Sequence, residues 1–202
     1  MEKATPYNPN NLIEQPLNHY SALFRAGDPA EMAERTGVPF ADGRFTLTVL
    51  GDEKIITWPD FADENWRDKD RVLFMRHLLE GQRCGDHSGF LTYAQMPWGD
   101  VYDRQFHNRC VNRLAGTYGS RIAAFEHACL ALGGQPLAGS GTGFELPFMP
   151  GLLLRFIVWE GDEEFPAAAQ ILFSDNFPRA FSAEDRVILC EYTLGKLRLF
   201  EK

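Results

Sequence analysis

Leu152-Leu153-Leu154-Arg155-Phe156-Ile157-Val158-Trp159-Glu160-Gly161-Asp162-Glu163-Glu164-Phe165-Pro166 is the stretch whose reading decides the fold. An apolar run, interrupted only by Arg155, passes abruptly into four acids and a glycine, turns at Pro166, and resumes as Gln170-Ile171-Leu172-Phe173. A nearly unbroken apolar run is what a strand covered on both faces requires. Leu153 to Trp159 is therefore expected as a central strand, with Ala169–Phe173 returning antiparallel beside it. A buried guanidinium is costly unless paired, so Arg155 should meet a carboxylate, Glu145 of a neighbouring strand being the best placed, or reach the rim of the sheet. Gly161 is expected to supply a positive φ in the turn. At least one of the acids should accept backbone N–H bonds that hold the turn in shape.

Outward from this centre, Phe144–Phe148, Leu152–Glu160 and Ala169–Phe173 read as a C-terminal β-meander. Ser182-Ala183-Glu184-Asp185 opens a last helix with a capping-box pattern. Upstream, Phe45–Leu50 and Lys54–Trp58 alternate about a Gly51-Asp52 turn and read as a hairpin. Helices are expected from Leu12 to Ala26, with Pro16 breaking its first part, from an Asp28 cap to Gly37, and from an Asp68 cap to Glu80. Two more are expected from Val101 after an Asp100 cap and over Ser120–Leu132, divided by Gly116–Gly119. Gln135–Gly143, rich in glycine, reads as a loop. The expectation is a single α+β domain over residues 12–202, mainly antiparallel, packed by about five helices and preceded by a disordered tail at 1–11.

Composition narrows the function. A net charge of −8 and a pI near 5.1 argue against a nucleic-acid binder, which needs a basic face. No apolar run reaches the ~20 residues of a membrane span, and the N-terminus lacks a signal-like apolar region. A cytoplasmic protein with no membrane partner is expected. Cys84, Cys110, Cys129 and Cys190 are scattered, as buried thiols of a reducing compartment would be.

Few residues carry chemistry. Asp162, Glu163 and Glu164 are candidate acids, bases or ligands for a cation, because crowded carboxylates raise one another's pKa; a solvated hairpin turn is the plainer alternative. Trp98 and Tyr102 at a loop-to-helix junction could wall a flat ligand or staple the helix start. His107 and Cys110, spaced i, i+3, share one helix face and could join Cys84 and His87 in a zinc site; ordinary core thiols and surface imidazoles are the alternative. The glycines at 139, 141 and 143 precede a strand and not a helix, so they do not form a phosphate loop.

The motif Leu152–Pro166 with Ile171–Phe173, Asp175 and Ala183-Glu184-Asp185 resembles an uncharacterised bacterial and archaeal domain family known only by a domain-of-unknown-function label. The earlier hairpin and the segment Gly89–Tyr102 resemble it too, so the likeness spans roughly residues 20–200. Some relatives resemble fusions to a four-cysteine iron–sulfur module found beside corrinoid proteins of anaerobic one-carbon metabolism. This chain lacks those cysteines, and the resemblance implies no activity. It assigns no cofactor. The expected role is an accessory protein binding a small ligand, metal or cofactor, with Arg155 among the candidate binding residues. The alternatives are a carboxylate-based or metal-assisted enzyme using Asp162–Glu164, with Arg155 or His107 positioning substrate, and a protein–protein interaction module.

Overall fold

A computed structural model describes residues 11–62 and 66–201. The proposed N-terminal tail lies outside them, save for Asn11. The chain is α+β, with helices packed on two antiparallel sheets. It opens with α1 (Asn11–Ala26) and α2 (Pro29–Thr36). Asp28 caps α2 by accepting from Ala30 N, Pro29 is its first residue, and Gly37 ends it at φ 76°, as the sequence implies. α1 runs through Pro16 without ending there.

A three-stranded sheet follows: β1 (Phe40–Ala41), β2 (Arg44–Val49) and β3 (Asp52–Thr57). The β2–β3 turn lies one residue earlier than expected. Leu50 and Gly51 both adopt positive φ, the twist a tight hairpin needs, and Asp52 already pairs with Val49. Next come α3 (Asp68–Glu80), β4 (Phe90–Thr92), α4 (Gly99–Phe106), one π-helical turn (His107–Val111), α5 (Asn112–Tyr118) and α6 (Ile122–Ala131). Arg67 and Trp98, not Asp68 and Asp100, occupy the cap positions of α3 and α4; both acids sit in the first turn, where they still complement the helix dipole. Gly116 lies inside α5, and the break before α6 comes at Gly119–Arg121.

The second sheet holds β5 (Gln135–Leu137), β6 (Thr142–Met149), β7 (Leu152–Trp159) and β8 (Ala168–Ser174), in the order β4-β8-β7-β6-β5. β7 is central, flanked antiparallel by β6 and β8. The expected loop at Gln135–Gly143 is in part a strand: β5 pairs with Gly143–Glu145. Pro136 hid it, yet proline is tolerated on an edge strand, and β5 is one. The inner face of β7 (Leu154, Phe156, Val158) is fully buried, whereas its outer face (Leu153, Arg155, Ile157, Trp159) is half-buried. The apolar run thus serves one buried face and one partly covered face, not two buried ones.

α7 (Phe177–Ala180) and α8 (Ala183–Leu197) close the chain. Ser182 Oγ and the Asp185 carboxylate cap α8 reciprocally. A single apolar cluster joins both sheets and the helices, and Leu50 N donates to Phe148 O across the two sheets at 2.9 Å.

Arg155 is paired as its burial demands. It stands directly across from Glu145 in the ladder, with Nε 2.9 Å from Oε2, and its guanidinium lies 3.5 Å from the centre of the Phe90 ring. The two side chains are 33% and 24% exposed, so water screens the pair in part. Glu145→Ala is expected to cost about 1 kcal/mol, and Arg155→Ala about 2 kcal/mol because the stack on Phe90 is lost as well. Urea midpoints at unchanged slope, closed into a double-mutant cycle, measure both.

His77 on α3 is buried against Phe181, the rings 4.9 Å apart and nearly parallel, with Nδ1 3.3 Å from Ala180 O. Burial pushes its pKa down from 6.5 to about 4; the Ala180 carbonyl opposes this and the Arg35 charge adds to it. Between those two values the unfolded chain binds the proton that the folded chain refuses. Stability is therefore expected to fall as pH drops from about 6.5 towards 4, by up to about 3 kcal/mol from this group. The pH dependence of the urea midpoint should be flatter in His77→Phe over that window.

Candidate functional site

The acidic turn is built as a turn. Asp162 Oδ1 accepts from Glu164 N at 2.8 Å and Phe165 N at 2.7 Å, and Asp162 N donates to Phe165 O at 2.9 Å. The amides of Phe165 and then Glu164 hold the Asp162 carboxyl below its ordinary pKa. Asp162, Glu163 and Glu164 are all exposed. The partly buried carboxylate that acid–base chemistry needs does not occur among them. Gly161 is absent from the positive-φ glycines; it is required because a Cβ there would stand 2.6 Å from Ala167 N.

The other candidates fall in different places. Arg155 belongs to the outer face of the sheet with Glu145 and Phe90. Trp98 is 73% exposed, so it does not staple α4. Its backbone holds φ 61°, an outlier for a bulky residue, and Val101 and Tyr102 are exposed beside it. Cys84 Sγ lies 3.6 Å from Asn176 O, and the His87 ring meets Phe90 edge-on. Cys110 is fully buried, its thiol 3.6 Å from Val187 O, while His107 is exposed. The π turn widens the helix at these residues, so the i, i+3 spacing no longer gives them one face. Among the described residues no three His, Cys, Asp or Glu side chains come together to hold a metal.

A different grouping does form a concave site. A cavity of about 370 Å³ is lined by Thr92, Tyr93 and Ala94, by Asp103, Phe106, His107 and Val111, and by Trp159, Ala169, Gln170 and Ile171. One wall is α4 running into the π turn; the other is the first half of β8. His107 Nδ1 lies 3.3 Å from Asp103 Oδ2 and 3.1 Å from Asp103 O. That engagement orients the ring and leaves Nε2 for a ligand. Tyr93 stacks on Phe106 with centroids 4.3 Å apart and planes 8° from parallel, and its hydroxyl donates to Ala183 O at 2.8 Å. Burial raises the Tyr93 pKa to about 12, so the phenol stays a neutral donor.

Two residues that sequence reasoning passed over fix this wall. Arg186, 1% exposed on α8, donates to Pro97 O at 2.6 Å and Phe181 O at 3.2 Å, which ties the Trp98 turn to the core. Gly99 packs where a Cβ would lie 1.8 Å from Tyr93 O. A lone arginine in the Asp185-Arg186 helix start gave no signal of burial; the Trp-Gly pair was the visible clue.

Fold and site together define an α+β protein with a cleft between a helical wall and the edge of a sheet, with no metal cluster among the described residues. Residues 28–196 match the model of a family described as Domain of unknown function (DUF3786), and the chain belongs to that family. No curated protein and no solved structure matches it.

The geometry of the turn sets an expectation. Asp162→Ala removes both acceptor bonds and should lower the melting temperature, Asp162→Asn should keep it, and Glu163→Ala and Glu164→Ala should leave it unchanged. Because the Asp162 pKa is depressed, its contribution is present above the unfolded carboxyl pKa and lost as pH falls through the folded one. Thermal melts of the four variants at pH 7 and pH 3 check both points.

Proposed function

We propose that this protein is a cytoplasmic binding module, not an enzyme of the acidic turn, and that its site is the cleft between α4–π–α5 and β8. One observation carries the reading: where α4 runs into the π turn, the Asp103–His107 pair and the aromatic Tyr93 and Phe106 line one cavity of ligand size beside the central sheet. Small-ligand sites combine apolar walls with a few placed polar groups, and π turns recur at functional positions. Thr92, Asp103, His107 and Gln170 provide the polar groups here. The likeness to relatives near corrinoid proteins directs the search towards cofactors of anaerobic metabolism.

A second reading rests on a separate feature. Trp98, Val101 and Tyr102 form an exposed apolar patch at the start of α4, and Trp98 is held there in a left-handed backbone conformation. Such patches mark protein-contact surfaces, so an accessory role with a protein partner fits the same end of the molecule.

A thermal-shift screen over corrinoids, haem, nucleotides and divalent metals tests the cleft. A ligand at a hundred times its Kd adds about 2.7 kcal/mol, so a genuine hit is expected to raise the melting temperature by several degrees. Ala94→Trp, which fills the cleft from its exposed rim, should abolish the shift, and His107→Ala should reduce it. A shift that survives both substitutions would place the site elsewhere.

A further inference from the structure

Among the described residues, half of β8 has no neighbouring strand on one side. β4 pairs only with Leu172, Phe173 and Ser174, whereas β7 pairs along Ala168–Phe173 without a register shift. In an antiparallel strand the N–H and C=O of one residue point to the same side, and successive residues alternate. Asp175 N donates to Gly89 O on the β4 side; Phe173, Ile171 and Ala169 therefore point that way, and Leu172, Gln170 and Ala168 point to β7. Beyond Thr92 the chain leaves the sheet, and among the described residues no strand pairs with Ile171 N–H or with the main-chain groups of Ala169 on that side. Ile171 is 2% exposed, and an unpaired buried amide is costly.

This stretch of β8 lies at the cleft, which Ala169, Gln170 and Ile171 all line. The geometry points to an extended peptide segment of a partner protein as the occupant, added as a short strand along Ala169–Ile171. This rests on the cleft being the site and names what fills it. Free groups repeating every second residue, about 6.8 Å apart, match the alternating main-chain groups of another extended chain. The occupant's inward side chains would meet Phe106 and Val111, so they should be apolar. The Ala168 end of the edge adjoins the turn carrying Glu160, Asp162, Glu163 and Glu164, all exposed, so a basic residue should flank that apolar centre. On this view the acids steer the partner and take no part in chemistry.

The probe is a panel of fluorescent, end-capped pentapeptides with lysine at both ends and β-branched apolar residues between, titrated onto the full chain by anisotropy. At least one member should bind. N-methylation of its amides one at a time should weaken binding at least ten-fold at alternate positions and less than two-fold between them, because only alternate amides face β8. Ala169→Pro deletes the outward N–H without touching the β7 ladder and should give a comparable loss at an unchanged melting temperature; the methylation pattern stands if that variant fails to fold. Absence of any binder at millimolar peptide overturns the inference, as does equal weakening at every amide. A small molecule blocked by Ala94→Trp, with no peptide binding, retires the peptide and keeps the cleft. Failure of both retires the cleft.

Discussion

Arg186 is a buried guanidinium with no bonded carboxylate among the described residues, and the architecture of the cleft depends on how it is satisfied. Its two terminal nitrogens bond to the carbonyls of Pro97 and Phe181, and its charge lies 5.6 Å from the Tyr93 ring. Burial lowers its pKa, and Tyr93 and Asp185 oppose that. A cation that deep is tolerated only where dipoles replace its hydration. Three segments must therefore keep their carbonyls or rings aimed at one point on α8: the turn before α4, the turn before α8, and the short helical turn after β4. Tyr93 reinforces this through its bond to Ala183 O. The helical wall of the cleft is thus anchored to the core through α8 as well as through its packing on Phe173 of β8.

That anchoring explains why the sheet stops short. Thr92 is the last residue of β4; its N–H, which points away from β8, bonds Gln95 Oε1 at 2.8 Å and caps the helical turn that carries the chain out of the sheet. Tyr93 O accepts from Met96 N instead of from Ile171. Gly99 then allows α4 to begin in contact with the Tyr93 backbone. Each step is local and satisfied, and together they withdraw a neighbour from Ala169 and Ile171. The open edge follows from the turn chemistry of Thr92–Gly99, and β8 itself contains nothing that would prevent pairing.

The sequence made the centre of the fold legible and left its margins obscure, for physical reasons. The apolar run of β7 and the return at Ala169–Phe173 carry long-range pairing in a local pattern, and the demand that Arg155 be paired led to Glu145. Caps at Asp28 and Ser182 were readable because their side-chain chemistry is local. β5 was not, since three residues containing Pro136 are held by Glu145 and its neighbours and not by any propensity of their own. The π turn was invisible because one extra residue in a helix has no compositional mark. In the candidate site, the spacing suggested Cys110 as the partner of His107, whereas the fold sets His107 beside Asp103, four residues earlier.

The acidic motif is conspicuous in the sequence, and the geometry of the turn accounts for only one of its acids. Asp162 closes a hairpin between the two strands that bury the core, and its bonds to Glu164 N and Phe165 N leave the neighbouring acids free in water. A turn needs one such acceptor, so Glu163 and Glu164 are not accounted for by the turn. They adjoin the end of the strand whose edge is open, on a chain of net charge −8. Exposed acids at the margin of a sheet edge disfavour pairing with another acidic copy of the same chain, as charged residues on edges commonly do, while they attract a basic partner. On the proposed strand addition, the same two side chains would guard the edge against self-association and bias which chains can approach it.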